Sequence, residues 1–125
     1  NPEAMAQLNR IVHPPVRAVC RAWMREQVGE GRIAVVIMPL LFEVGEIEPW
    51  RCVVCVAAPE SAVLQRLVQR GFTEREARRR MAAQMPIEEK MRRADYVIMN
   101  DGTLDRLSEE TRKIWKAILT KERVS

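Results

Sequence analysis

Three runs of the 125-residue chain are apolar at nearly every position. Residues 33–38 read IAVVIM and are closed by Pro39, and residues 52–58 read CVVCVAA and are closed by Pro59. Residues 96–99 read YVIM and end at Asn100, Asp101 and Gly102. Such runs, rich in β-branched residues and without alternation, predict strands covered on both faces, the habit of parallel sheets. Apolar positions at helical spacing predict helices over about 60–70, 73–84, 87–93 and 104–121. Thr73 and Glu76 stand at the spacing of a capping box. Upstream, residues 3–29 carry helical spacing interrupted at Pro14 and Pro15. Two helices meeting at a His13-Pro14-Pro15 corner are expected there, the second ended by Gly29 and Gly31. The order predicts an α/β layered fold in a single domain, 1–125.

Composition narrows the class. With 47% hydrophobic and 30% charged residues, the chain can bury a core and is not of the disordered type. No apolar stretch approaches the ~20 residues of a membrane helix, and no secretory leader is seen, so a membrane partner is not expected. The chain begins at Asn1 inside a helical pattern and reads as a piece of something longer. Cys20, Cys52 and Cys55 cannot all pair, which suits a reduced, cytoplasmic protein. Cys52 and Cys55 form a C-x-x-C, but on a strand, positions three apart face opposite ways, so buried strand thiols are expected. His13 is the single histidine, which leaves no zinc set. Trp23, Trp50 and Trp115 are dispersed and read as packing residues.

Charge is concentrated. Residues 65–93 hold nine basic and four acidic side chains, a net +5 against +4 for the whole chain. Eight of the nine are arginine, the side chain suited to forked contacts with phosphate. Open parallel sheets bind ligands beyond the carboxyl ends of their strands. Here those ends are Pro39 to Glu43, Ala57-Ala58-Pro59 and Asn100-Asp101-Gly102, and the basic excursion, about 66–93, leaves from the same edge as a small lid. A phosphate-bearing ligand covered by Arg66, Arg70 and Arg80 is therefore expected. Arg66 and Arg70 sit four apart, able to clamp one group from one helix face. Glu43 reads as a base, a hydroxyl ligand or a structural carboxylate, and His13 as a ligand-binding or corner residue. Asp95 reads as an ion-pair or capping residue. No G-x-x-x-x-G-K-[ST] loop occurs, because the first lysine is Lys90 and the Gly29-Glu30-Gly31 pair precedes an apolar run instead of following one.

The succession of motifs is similar to that of a known family. Asn1-Pro2-Glu3, Leu8 to Pro14 (LNRIVHP) and Pro39-Leu40-Leu41-Phe42-Glu43 open it. Gln65-Arg66-Leu67 with Arg70, Arg80-Met81 with Gln84, and Glu89-Lys90 continue it, and Ala94 to Ile98 (ADYVI) with Asn100 close it. In order and spacing, from Asn1 to about Leu107, these resemble the motifs of dephospho-CoA kinases. The resemblance implies a three-layer α/β/α parallel sheet of the P-loop nucleotide-kinase type. It implies ATP, with Mg²⁺, as phosphoryl donor and the 3′-hydroxyl of dephospho-CoA as acceptor, the last step of coenzyme A synthesis. It also implies catalytic Arg66, lid and ATP contacts at Arg70, Arg80, Asn100 and Gly102, and substrate contacts at His13, Leu40, Leu41 and Glu43, with residues 1–30 as the helical substrate region. No metal ligand is carried over.

The family's first strand, its phosphate loop with lysine, and its Asp-bearing segment are not among these 125 residues, so no kinase activity is expected of the chain alone. In the family's sheet that strand lies between the runs 33–38 and 52–58. Exposed strand edges and self-association, direct pairing of the two runs, or completion by a parent polypeptide are the expected consequences. The alternatives are another P-loop nucleotide or small-molecule kinase, a remnant kept for assembly, or a non-catalytic arginine-rich nucleic-acid-binding module. The last would need base-stacking aromatics among its arginines, and only Phe72 is there, so nucleic acid is not the expected partner.

Overall fold

The structure is a computed structural model that describes residues 1–45 and 50–124, and of residues 122–124 the backbone only. Its elements run α1 (Pro2–Gly29), β1 (Val54–Ala57), α2 (Glu60–Gln69), α3 (Glu74–Ala82), α4 (Ile87–Arg93), β2 (Tyr96–Met99) and α5 (Leu104–Val124). They fall into two compact units, Asn1–Pro39 and Leu40–Ser125.

In the first unit, α1 is one continuous helix that contains Pro14 and Pro15, and the expected corner is absent. The reason lies in what proline removes. Its fixed φ of about −65° is itself helical, so the two rings cost two backbone donors without forcing the chain out of the α region. The Asn1 side chain accepts from the Glu3 and Ala4 amides at 3.0 and 3.4 Å and caps the first turn, with Pro2 at the favoured first position. His13 is thus a half-buried mid-helix residue.

The run 33–38 is the second correction. It carries no strand, and among the described residues only β1 and β2 pair. Its side chains still alternate: Ile33, Val35 and Ile37 are exposed, Ile37 by 93%, whereas Ala34, Val36 and Met38 are half-buried. β-branched composition favours an extended backbone, but a strand exists only where a neighbouring ladder satisfies its amides and carbonyls.

The second unit is built on the parallel pair β1–β2, in register Val54↔Tyr96, Cys55↔Val97, Val56↔Ile98 and Ala57↔Met99. Three helices connect the strands, as parallel pairing requires. Helix α4 packs on β1, α5 on β2, and α2 on α3. Cys55, Ala57, Ala77 and Ile98 are buried at the centre. β1 is not covered on both faces as expected: Val56 remains 59% exposed between buried Cys55 and Ala57.

The expected helices 60–70, 73–84, 87–93 and 104–121 all form, the third with the expected bounds and the others with ends shifted by at most three residues. The capping box is complete. Thr73 Oγ1 accepts from the Glu76 amide at 3.3 Å, and Glu76 Oε2 accepts from the Thr73 amide at 2.8 Å. Helix α2 ends in a Schellman motif, with Phe72 N donating to Leu67 O and Gly71 N to Val68 O. Gly71 has φ +98°, which only glycine adopts cheaply. Helix α3 stops at Ala82, so Gln84 lies beyond its end.

Candidate functional site

The carboxyl tips of β1 and β2 lie side by side. The Asn100 amide donates to Ala57 O at 2.7 Å, extending the ladder one residue past β2. At the amino ends, Asp95 N donates to Val53 O at 2.8 Å while Asp95 Oδ2 accepts from Val53 N at 2.7 Å. Asp95 is therefore a strand clamp that sets the register of the tips, in line with a capping role.

Arg66, in the last turn of α2, reaches these tips. Its Nη2 donates to the Asn100 carbonyl at 2.9 Å in a half-buried setting. One of its five donors holds the guanidinium at the sheet end where α/β proteins bind ligands. Arg70 does not share that position. It is the C-cap of α2, exposed, and no carboxylate pairs with it among the described residues.

Arg80 stands apart again, its guanidinium carbon 4.4 Å from the centre of the Phe72 ring. The Schellman turn that places Phe72 therefore also places Arg80. Below the tips, Gly102 is closely approached: a Cβ there would meet Arg106 Cδ at 3.2 Å. Arg106 Nη1 lies 3.7 Å from Asp101 Oδ1.

The segment after Pro39 forms a short turn, with Val44 N donating to Leu40 O at 3.1 Å and Gly45 N to Phe42 O at 3.2 Å, ended by Gly45 at φ +67°. Leu40 is 41% exposed and Leu41 half-buried. Glu43 on this turn is engaged. Its Oε1 accepts from Lys90 Nζ at 2.5 Å and from the Met85 amide at 3.1 Å. Burial pushes the Glu43 carboxyl up, but the hydrogen bond from Lys90, its own amide and the Met85 amide outweigh it and hold it below its ordinary value.

Lys90 is the partner of Glu43 that sequence reasoning missed. It was visible only as half of a Glu89-Lys90 motif, with no signal tying it to Glu43 so far along the chain. Cys55 is a buried thiol on β1 whose burial pushes its pKa up, Lys90 opposing; Cys52 lies before β1 and is half-buried, so only one of the two expected strand thiols is on the strand, and Cys20 on α1 is half-buried. Among the described residues no cluster of three His, Cys, Asp or Glu could hold a metal ion, and no helix is long and apolar enough to cross a membrane.

A parallel pair with crossover helices and an arginine fastened over the strand tips places the chain among α/β proteins of the P-loop nucleotide-kinase type. The family model described as dephospho-CoA kinase matches residues 1–106. A dephospho-CoA kinase of Chlorobaculum tepidum is 41% identical over 120 residues, and one of Geobacillus kaustophilus 46% over 121, each match covering 95% of this chain and 58% of the relative. The solved structure of the Campylobacter jejuni dephospho-CoA kinase superposes with a TM-score of 0.68 at 30% identity, covering 98% of this chain and 61% of that one. A Thermus thermophilus structure superposes at 0.70 and 35% identity. The chain belongs to the dephospho-CoA kinase family, and it spans somewhat over half the length of these relatives.

Proposed function

We propose that the chain supplies the acceptor-side and lid portion of an ATP-dependent dephospho-CoA kinase, which moves the terminal phosphoryl group of ATP to the 3′-hydroxyl of dephospho-CoA in the cytoplasm. The observation that carries this reading is the Arg66 guanidinium held 2.9 Å from the Asn100 carbonyl at the strand tips, in a chain of this family.

Phosphoryl transfer asks little covalent chemistry of the protein and much positioning and charge stabilisation. Arg66, already anchored through one donor, offers its remaining N–H groups to charge developing on the transferred phosphoryl. Arg70 and Arg80 close on the ATP phosphates, Arg70 from an exposed cap and Arg80 by leaving or extending its Phe72 contact. Asn100 and Gly102 border the adenine. The turn bearing Leu40, Leu41 and Glu43 meets dephospho-CoA, and the family resemblance alone gives His13 a contact with the same substrate.

ATP is accompanied by Mg²⁺ in such chemistry, but the described residues offer no ligand set for the ion, so its handling is not assigned to this chain. The 125 residues also contain no glycine-rich loop with lysine for the ATP phosphates. The chain by itself is therefore expected to bind without turning over. The exposed run at Ile33, Val35 and Ile37 supports self-association through unpaired backbone.

A thermal-shift comparison of dephospho-CoA with AMP, CMP and shikimate tests the reading. Stabilisation by dephospho-CoA above the other three supports it, and equal or absent shifts overturn it. ADP release by the chain alone, clearly above a blank, overturns the expectation of binding without turnover.

A further inference from the structure

The helix-surface ion pairs among the described residues are solvent-exposed, and pairs of that kind contribute little. Arg78–Glu74, Arg93–Glu89 and Lys113–Glu110 all have at least one member with 49% or more of its side chain exposed. Glu43 and Lys90 differ, with side chains only 18% and 13% exposed. They also join segments far apart in the chain. Glu43 belongs to the 40–45 turn, whereas Lys90 lies on α4 and the second donor, the Met85 amide, on the α3–α4 corner. Gln84 Oε1, 3.4 Å from Lys90 Nζ, ties the end of the corner to the same ammonium. Both donors converge on one oxygen, and Glu43 Oε2 is buried without a partner among the described residues. A half-satisfied carboxylate in this setting depends on its cation. Removing Lys90 leaves a buried charge uncompensated, which costs far more than losing a surface pair.

We propose that Glu43 and Lys90 are positioning residues that latch the 40–45 turn to the α3–α4 corner, so that the turn and the arginine-bearing helix α3 shift as one element. This rests on the proposed function only in what it implies: a turn that meets dephospho-CoA and helices that meet ATP phosphates would report to each other through one ion pair. Glu43 then acts on the acceptor through the placement of Leu40 and Leu41, not by touching the reacting atoms.

Amide hydrogen exchange on the whole chain tests it, with K90M, E43Q and K90R beside the wild type. Without ligand, K90M and E43Q are expected to speed exchange at Met85 and across 41–45 by about tenfold or more, K90R to restore it, and Asn100 to stay unchanged. Rates at 41–45 and Met85 within about twofold of wild type in both variants overturn the latch, and so does an equal rise at Asn100, which marks general destabilisation. If K90M does not fold, E43Q and K90R decide.

With saturating dephospho-CoA, the wild type is expected to gain protection at 40–45 and at 84–93 together, and K90M at 40–45 alone. Protection of both segments in K90M overturns the coupling. Absence of any protection in the wild type overturns the binding reading and leaves the latch to the ligand-free rates.

Discussion

Arg66 and Asn100, 34 positions apart, are joined by a single hydrogen bond of 2.9 Å from guanidinium to backbone carbonyl. The bond fastens the end of α2 to the tip of β2, and it fixes where the Arg66 guanidinium sits. A charged donor on a half-buried carbonyl is worth about 2 kcal/mol. Arg66→Met is expected to lower stability by that order in urea titration, with Arg66→Lys intermediate because an ammonium lacks the fork. In a complete kinase of the proposed function, loss of this guanidinium is expected to lower kcat by about 10³ with a smaller change in KM.

The Glu43 carboxyl gives a pH signature with a definite sign. Its folded pKa is held below the ordinary 4.5, so the folded state binds fewer protons near that pH than the unfolded chain does. Its contribution is complete above about 4.5 and is lost as pH falls through the lower folded value. Glu76 and Glu89 are lowered too, by the Thr73 and Arg93 hydrogen bonds respectively, so only a difference isolates Glu43. The gap in urea midpoint between wild type and Glu43→Gln is expected to be largest at neutral pH and to shrink toward pH 3 (about one and a half units below the ordinary value). A gap independent of pH would contradict this.

The cap at Thr73 holds the first turn of the helix that carries Arg78, Arg79 and Arg80. Thr73→Ala is expected to cost about 1 kcal/mol, and Thr73→Ser almost nothing, since a serine hydroxyl still accepts from the Glu76 amide and donates to Glu76 Oε2, as Thr73 Oγ1 does at 3.3 and 2.8 Å. Thermal unfolding of the two variants side by side measures it.

Backbone pairing separates the two apolar runs. The Val35 amide has no hydrogen-bond acceptor among the described residues, whereas the Asn100 amide is bonded to Ala57 O at 2.7 Å. Val35 is expected to exchange with solvent at close to the rate of an open peptide, and Asn100 more slowly by about 10²-fold or more. Equal protection at both would show that 33–38 has found a ladder.

Local signals carried much of the fold. Four helices and two strands stand near where periodicity put them, because each has its own code: the Thr73–Glu76 spacing, the Gly71 reversal, the YVIM run between Asp95 and Asn100. The errors fall where a local rule met a wider balance. Pro14 and Pro15 looked like a break, but a helix of 28 residues keeps enough other hydrogen bonds to absorb two lost donors. Four-residue spacing put Arg66 and Arg70 one turn apart, and the Arg70 amide does bond to Arg66 O at 3.1 Å, but spacing gave no sign that Arg66 alone of the two bonds to the Asn100 carbonyl.

Residue order alone was enough to establish family, class and the crowding of arginine between the second and third apolar runs, since composition and short-range spacing are properties of neighbours along the chain. Three-dimensional packing settled which of those arginines reaches the strand tips, that residues 33–38 lack a ladder, and that Glu43 answers to Lys90. Each of these depends on groups brought together across tens of residues, and the free energy that selects such encounters comes from desolvation and pairing in space, which no local pattern encodes.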